Sequence, residues 1–446
     1  MFDKILIANR GEVAVRVIRA CKEMGVKTVA VFSTADAEAL HVALADEAYC
    51  IGGPRPQESY LNEDAILTCA VESGAKAVHP GYGFFSENAG FARECGRCGL
   101  VFVGPSPEVI ERMGDKDAAR RCAREAGVAV VPGCDLLSGP DQATAEAARI
   151  GCPVLIKARS GGGGRGIRRV DAPEAAVAAF NEARAEAAAA FGDGECYLEK
   201  FVSPAHHVEV QVIADSQGNV VSLGERECSA QRRNQKLLEE SPAPCLDGHD
   251  DVRERMATAA RDLARAVGYV GVGTIEFLYS DDGRFYFMEM NTRLQVEHPV
   301  TEFVSGIDLV KWQLRVAAGR PLPFSQDDVR IANHAIECRI NAETPDFLPS
   351  CGEVTMLHVP NGPWTRFDSA LYQGVVVPPY YDSLLGKLVV CSPTREEAIR
   401  KMRSALGELV IEGVQENSEL QLDILSNPRF VAGAYHTNLM EHLYES

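Results

Sequence analysis

Short apolar runs alternate with helical patterns from the first residues of the chain. Lys4–Ala8 is a strand-like run, and a 3.6-residue pattern follows with Ala14, Val17, Ile18 and Cys21 on one face. Lys27–Phe32 is a second strand candidate, and Ala75–Val78 and Leu100–Val103 are later ones. This β-α-β opening predicts a parallel sheet covered by helices. Gly104-Pro105-Ser106-Pro107 marks a boundary, and Met113–Gly127 is expected to be one helix. Beyond it come a strand, a glycine loop, a strand and an alanine-rich helix over residues 173–191. Antiparallel strand patterns are expected to fill residues 207–290. After Pro321-Leu322-Pro323, the pattern predicts a strand at His334–Asn341 and helices over 394–408 and 416–426.

Composition narrows the class. The 446 residues carry a formal net charge of −18, which argues against a general role on nucleic-acid backbone. No apolar run reaches the roughly 18 residues needed to cross a bilayer. The 14 cysteines are scattered and no secretory pattern precedes them, so reduced thiols and a cytoplasmic location are expected. Cys95-Gly96-Arg97-Cys98 is a lone Cys-x-x-Cys and reads as ordinary cysteine usage.

Three stretches carry candidate chemistry. Ser160–Gly166 has five glycines in its last six positions, more than a hairpin tip requires. Such a backbone can bring several N–H groups to a polyphosphate. No Lys-Ser/Thr pair follows Gly166, so this is not a Walker loop, and the flanking apolar runs suggest strand–loop–strand. Lys157, in the preceding run, either snorkels to solvent or contacts the nucleotide. The first strand–helix turn carries the single glycine Gly11, which disfavours a nicotinamide dinucleotide fold.

The second stretch is a hairpin around Asp282-Gly283, a strong turn signal. Centred there, it places Glu276 directly opposite Glu289, with Cβ atoms ~5 Å apart. Facing carboxylates repel unless a cation or proton intervenes, and a divalent ion resolves the conflict. A solvated outer face is the plain alternative. The third stretch continues from it: Glu289, Asn291, Arg293, Gln295 and Glu297 are polar at period two. A half-exposed strand gives that pattern. A strand from Phe285 to Glu297 would be unusually long, so it is expected to end near Asn291 with a loop curling round a site. There Arg293 could grip a planar anion bidentately. His207, Glu209 and Gln211 alternate with valines and read as an ordinary amphipathic strand.

Taken together, the chain resembles the biotin carboxylase family within the ATP-grasp group. The resemblance covers nearly the whole chain and rests on Lys4–Glu12, His79–Asn88, Lys157–Gly166, Glu225–Lys236, Met288–His298, Glu337–Glu343 and Pro378–Lys387. It implies an α/β (α+β) architecture: a Rossmann-like domain over 1–115, an ATP-grasp domain over 116–328 with a mobile glycine-loop lid at about 131–204, and a mixed C-terminal domain over 329–446. The implied reaction joins bicarbonate to biotin at the expense of ATP, through carboxyphosphate. Lys116, Lys157, Gly162, Gly163, Gly164, Gly166, Glu199, Lys200, Phe201, Val202, His207, Gln231, Asn234, Glu276 and Glu289 would contact ATP. Glu276, Glu289 and Asn291 would hold two magnesium or manganese ions. Lys236, Arg293, Gln295 and Val296 would hold bicarbonate, with Glu297 as its general base. Arg339 would steady the biotin enolate, near Tyr82, and Arg293 would stabilise the transition state. The catalytic set is therefore Lys236, Arg293, Glu297 and Arg339.

The sequence departs from the family pattern at Asn234, where histidine is usual, at Cys351 for proline and at Glu416 for threonine. No Ala-Met-Lys-Met biotinylation sequence occurs, so the resemblance implies biotin on a separate carrier protein, with carboxyltransferase subunits as further partners. It further implies a homodimeric carboxylase subunit of a bacterial acetyl-CoA carboxylase, acting in fatty acid synthesis, with no membrane or nucleic-acid partner. The alternatives are a complex serving pyruvate or another acyl-CoA, a different ATP-grasp ligase, or a catalytically silent carboxylase subunit.

Overall fold

The structure, a computed structural model, describes residues 1–159 and 166–444. Its first layer is a parallel sheet of β1 (Lys4–Ile7), β2 (Lys27–Ser33), β3 (Glu47–Gly52), β4 (Ala77–His79) and β5 (Val101–Phe102), in the order β3-β2-β1-β4-β5. Both faces of such a sheet must be covered. Val13, Ala14, Val17, Ile18 and Cys21 of the helix Gly11–Glu23 share one buried cluster with Ile5 and Ile7. Leu6, Val29, Val31 and Val78 join a second cluster with Ile66 and Phe91. The loop after β4 is shaped by Gly81, at φ +64°, where a Cβ would meet the Asn9 amide at 2.8 Å. Asn9 Nδ2 donates to the carbonyls of Pro80 and Tyr82, which fixes that loop beside the first turn.

A three-stranded antiparallel sheet follows, with β6 (Val154–Ala158) between β7 (Ile167–Val170) and β8 (Cys196–Lys200). The helix Ala176–Phe191 and the helix Pro140–Ile150 cover it through Ala143, Ala147, Phe180 and Ala183. The largest sheet is antiparallel. It takes β9 (His206–Ala214), β10 (Val220–Arg232), β11 (Gln235–Ser241), β12 (Gly271–Tyr279), β13 (Phe285–Asn291) and β14 (His334–Asn341) in the order β13-β12-β9-β10-β11-β14, then Leu384–Ser392 and Thr365–Ser369. It therefore runs unbroken across residue 328, because β11 pairs with β14.

Four local expectations are corrected. Met113–Gly127 is two helices, Pro107–Gly114 and Lys116–Glu125, split at Asp115. Asp115 accepts from the Ala118 N–H, capping the second helix where the first ends. Residues 207–290 are not all strand, because the helix Asp250–Ala266 interrupts them, burying Val252, Met256, Ala260 and Leu263. The strand holding His207, Glu209 and Gln211 is buried on both faces rather than half-exposed.

The fourth concerns the hairpin of β12 and β13. Beyond the last ladder pair, Tyr279 with Phe285, the Ser280 N–H donates to the Arg284 carbonyl at 2.9 Å, leaving a three-residue tip, Asp281–Gly283, with Gly283 at φ +80°. Met288 then bulges, and the register beyond it sets Glu276 opposite Glu289. The predicted pairing holds because a longer loop and a bulge cancel.

Glu240, fully buried at the end of β11, fastens the C-terminal block. It accepts from Arg395 Nε at 2.8 Å, His334 Nε2 at 2.7 Å and Tyr435 Oη at 2.7 Å. Burial opposes its ionisation, but Arg395 and His334 outweigh it and hold the carboxyl at about 2, below its ordinary 4.5. A depressed folded-state value stabilises above the unfolded value and is lost as pH falls through the folded one. Glu240 thus contributes a few kcal/mol above about pH 4.5, vanishing toward pH 2. Glu240→Gln is expected to lower the urea midpoint at pH 6 and to flatten its decline toward pH 3. A parallel decline in both proteins would count against this anchor.

Candidate active site

The registers of β13, β12, β9 and β10 build one cross-strand row. Glu289 faces Glu276, Glu276 faces Glu209, and Glu209 faces Arg226. Neighbours in such a row have Cβ atoms ~5 Å apart, so three consecutive carboxylates demand cations. Two come from the protein. Arg226, completely buried, donates from Nε to Glu209 Oε1 at 2.5 Å. Its remaining donors reach Gln211, Thr301, Thr274 and Gln295 at 2.7–3.1 Å. Lys236, on β11, donates to Glu209 Oε2 at 2.6 Å, Glu276 Oε1 at 2.9 Å and Glu297 Oε1 at 2.7 Å. His207 Nε2 lies 3.0 Å from Glu276 Oε2. Burial works against ionising Glu276, yet Lys236 and His207 hold its carboxyl well below the ordinary range.

Glu289 ends the row differently. It is the exposed member, and the charge of Glu276 raises its carboxyl. Asn291 donates to Glu276 Oε1 at 2.9 Å. Two facing carboxylates, one raised by the other, with an amide oxygen nearby form a hard-oxygen donor set that suits magnesium, completed by phosphate oxygens. Lys116, at the start of its helix, feels Glu289, although burial outweighs it and lowers the ammonium value.

β13 ends at Asn291, and the chain then turns. Glu87 holds that turn, accepting from the Thr292 N–H at 3.2 Å and Arg293 Nε at 2.9 Å. Arg293 also donates to Asn291 Oδ1 at 3.0 Å. Gln295 is buried and donates to Glu276 Oε1 at 3.0 Å. The Val296 carbonyl accepts from Lys387 Nζ at 2.7 Å. Glu297, just before the helix His298–Ser305, is gripped twice: Oε1 by Lys236 and Oε2 by Arg339 at 2.9 Å. Burial would raise its carboxyl, but Lys236, Arg339 and Arg226 hold it well below the ordinary range. Arg339 also binds Glu239 Oε1 at 2.7 Å; Glu239 is pushed up to about 7 by burial, against the pull of Arg339. Tyr82 Oη donates to Glu12 Oε1, and Lys387 Nζ lies 3.2 Å from that same carboxylate.

The remaining sequence-predicted residues lie on the second sheet, on β10 or at turns. Lys157 Nζ donates to Glu199 Oε2 at 2.6 Å, and Arg120 lies 3.2 Å from Glu199 Oε1. The side chains of Lys200 and Phe201 are engaged by the Gly151 carbonyl at 2.7 Å and by Arg169, 4.6 Å from the ring. Val202 is half-buried, Gly166 is buried, and Gln231 is buried opposite Lys236. Asn234 is exposed in the two-residue turn between β10 and β11, with φ +63°, a conformation asparagine tolerates. Gly162, Gly163 and Gly164 lie outside the described residues.

Sequence reasoning gives no role to Glu209, Arg226, Glu239 or Glu87. The first three lie within strands whose partners come from distant segments. A charged residue amid a buried run, as at Arg226, is the available signal. All 14 cysteines are free, and Cys95 and Cys98 belong to no metal-compatible cluster among the described residues. No helix among the described residues is long and apolar enough to cross a membrane.

Three family models match in chain order: "Biotin carboxylase, N-terminal domain" over residues 1–110, "Carbamoyl-phosphate synthase L chain, ATP binding domain" over 115–325, and "Biotin carboxylase C-terminal domain" over 337–442. The chain is 52% identical to a biotin carboxylase of Nostoc sp. over 445 residues, covering 99% of each. It is 50% identical to a pyruvate carboxylase subunit of Methanothermobacter thermautotrophicus, covering 99% of this chain and 90% of that one. Among solved structures, the biotin carboxylase domain dimer of Hydrogenobacter thermophilus 2-oxoglutarate carboxylase, in complex with MgADP, ADP and bicarbonate, superposes with a TM-score of 0.95 at 47% identity, covering 100% of this chain and 99% of that one.

Proposed function

Because the chain belongs to the biotin carboxylase family of ATP-dependent ligases, we propose that it carboxylates biotin on a separate carrier protein, as the first half-reaction of an acetyl-CoA carboxylase in fatty acid synthesis. The observation that carries this reading is the grip of Lys236 and Arg339 on opposite oxygens of the buried Glu297. It sets two cations and one ionised base around a single point, the requirement for activating a weak anionic nucleophile and then a very weakly acidic ureido nitrogen.

The sequence of events follows from these groups. ATP sits between Lys116, Lys157 and the Glu199–Val202 segment on one side and His207 and Gln231 on the other. Glu276, Glu289 and Asn291 would hold magnesium or manganese, which when bound neutralises phosphate oxygens during transfer. Bicarbonate lies against Lys236, Arg293, Gln295 and the Val296 backbone. As it engages Lys236, that ammonium shares its charge with the substrate, its hold on Glu297 weakens, and the carboxylate becomes basic enough to take the proton. The attacked γ-phosphoryl then yields carboxyphosphate and ADP. Biotin enters beside Tyr82 and Arg339, whose guanidinium steadies the enolate-like ureido oxygen while the nitrogen gives up its proton to the departing phosphate and bonds to the carboxyl carbon, the carboxyl–phosphate bond breaking to release inorganic phosphate.

The carrier lies outside these 446 residues, which contain no Ala-Met-Lys-Met sequence. Carboxyltransferase subunits would complete the complex, and a cytoplasmic homodimer is the assembly we infer. A pyruvate-linked complex is the second reading, favoured by the 50% identity to the Methanothermobacter protein.

A coupled assay with magnesium, bicarbonate and free biotin tests the reaction. ADP release that rises with biotin is expected, and ATP cleavage indifferent to biotin would overturn it. Adding the organism's own carrier and carboxyltransferase with either acetyl-CoA or pyruvate decides the acceptor; transfer to pyruvate alone would replace the acetyl-CoA reading.

A further inference from the structure

On the opposite side of β9 from the carboxylate row, three segments distant in sequence meet. His206 opens β9, Asp281 sits in the loop of the β12–β13 hairpin, and His436 lies near the C-terminus. His206 Nε2 is 3.0 Å from Asp281 Oδ1, and His436 Nε2 is 3.1 Å from Asp281 Oδ2. The three candidate ligand atoms lie within 4.8 Å of one another, and the imidazole centroids are 4.4 Å apart. A tetrahedral sphere with metal–ligand distances of ~2.0–2.1 Å has ligand–ligand edges of ~3.3 Å, close to both measured separations.

The other nitrogen of His206 sharpens the argument. Nδ1 lies 3.4 Å from Glu227 Oε1, so both ring nitrogens of a buried histidine face carboxylates. A neutral imidazole has one N–H and cannot satisfy both. With the proton on Nδ1, toward Glu227, the Nε2 lone pair points at Asp281 and can be shared with it through a metal ion, whereas a doubly protonated ring would bridge both carboxylates without one. A carboxylate oriented on the far nitrogen is the usual support of a metal-bound histidine. Glu227 is itself fixed by the Ser229 hydroxyl. The backbone is pre-positioned too, because the Thr437 N–H donates to the Ala205 carbonyl at 3.0 Å, beside both histidines. His206 is buried, while the His436 and Asp281 side chains are 24% and 58% exposed, leaving an open side for an ion and its water.

We propose that His206, Asp281 and His436 bind a first-row divalent transition ion, Zn²⁺ by donor type, with Glu227 as the outer carboxylate. Two imidazoles and a carboxylate suit zinc rather than magnesium. The ion would clamp the C-terminal segment to the hairpin that carries Glu276 and Glu289. It is separate from the magnesium position and does not depend on the proposed acceptor.

The test uses full-length protein stripped with chelator and held in excess magnesium and ADP, so that the cleft carboxylates are occupied. Competition with a chromophoric chelator is expected to show one high-affinity Zn²⁺ per chain. His436→Ala and Asp281→Asn, at accessible positions, are each expected to weaken it about 100-fold or more. Zn²⁺ should raise the melting temperature of the parent protein and not of His436→Ala, and Co²⁺ should give visible d–d bands only with the trio intact. Equal Zn²⁺ binding by the parent and both variants would overturn the site. So would no binding by the parent, which would make the trio a protonated histidine–carboxylate bridge.

Discussion

Glu297→Gln is expected to bind ATP as the parent protein does while biotin-dependent ADP release falls by about two to four orders of magnitude. Glutamine matches glutamate in shape, so the loop between Asn291 and the helix at His298 has no steric reason to move. What disappears is the proposed proton acceptor and the anion shared by Lys236 and Arg339. The ATP contacts we propose are on Lys157, Glu199 and His207, whose partners are one another and Glu276 rather than Glu297. The loss should therefore appear in kcat with the KM for ATP little changed. Glu297→Asp, which keeps the base but shortens its reach, should recover part of the rate. Parent-level turnover in Glu297→Gln would remove the residue from the proton-transfer step.

The largest effect on stability is expected at Arg226. Arg226→Met should destabilise the protein by about 3–5 kcal/mol, because a completely buried guanidinium is the partner of five side chains. Methionine fills much of the volume but leaves Glu209, Gln211, Thr274, Gln295 and Thr301 without that donor. Glu209 would then rely chiefly on Lys236, drawing the ammonium away from Glu297, so carboxylation should fall as well. Arg226→Lys restores one charge but not the planar fork and should recover only part of the loss. Urea unfolding of ligand-free protein gives the measurement. A midpoint equal to the parent's would show that the arginine is dispensable for the carboxylate row.

Much of this site was legible in the chain. The Asp-Gly turn predicts the opposition of Glu276 and Glu289, and the length argument ends the strand at Asn291. Yet the first of these rests on a two-residue loop, whereas the structure has three residues and a compensating bulge at Met288. Period-two patterning says which face a residue takes but is blind to single-residue insertions. The helix Asp250–Ala266 is readable from Val252, Met256, Ala260 and Leu263, spaced three and four apart, though strong strand patterns on either side mask it. The break at Asp115 is harder, because two amphipathic helices in tandem look continuous unless the cap is noticed.

By itself the sequence determined the local elements, the hairpin that pairs two acids, and the ordered motifs that mark the family. Those depend on backbone preferences and on neighbours a few residues away. The tertiary structure alone decided how the charges are balanced. Glu209 reaches Glu276 only through the pairing of β9 with β12, Lys236 arrives from β11, and Arg339 from β14. The same holds for His206, Asp281 and His436. Registers between non-consecutive strands are set by how whole layers bury their apolar faces, and no local pattern encodes them. For that reason the Glu289–Glu297 stretch could be recognised in the chain, while the cations that make its acids usable became visible only in the folded sheet.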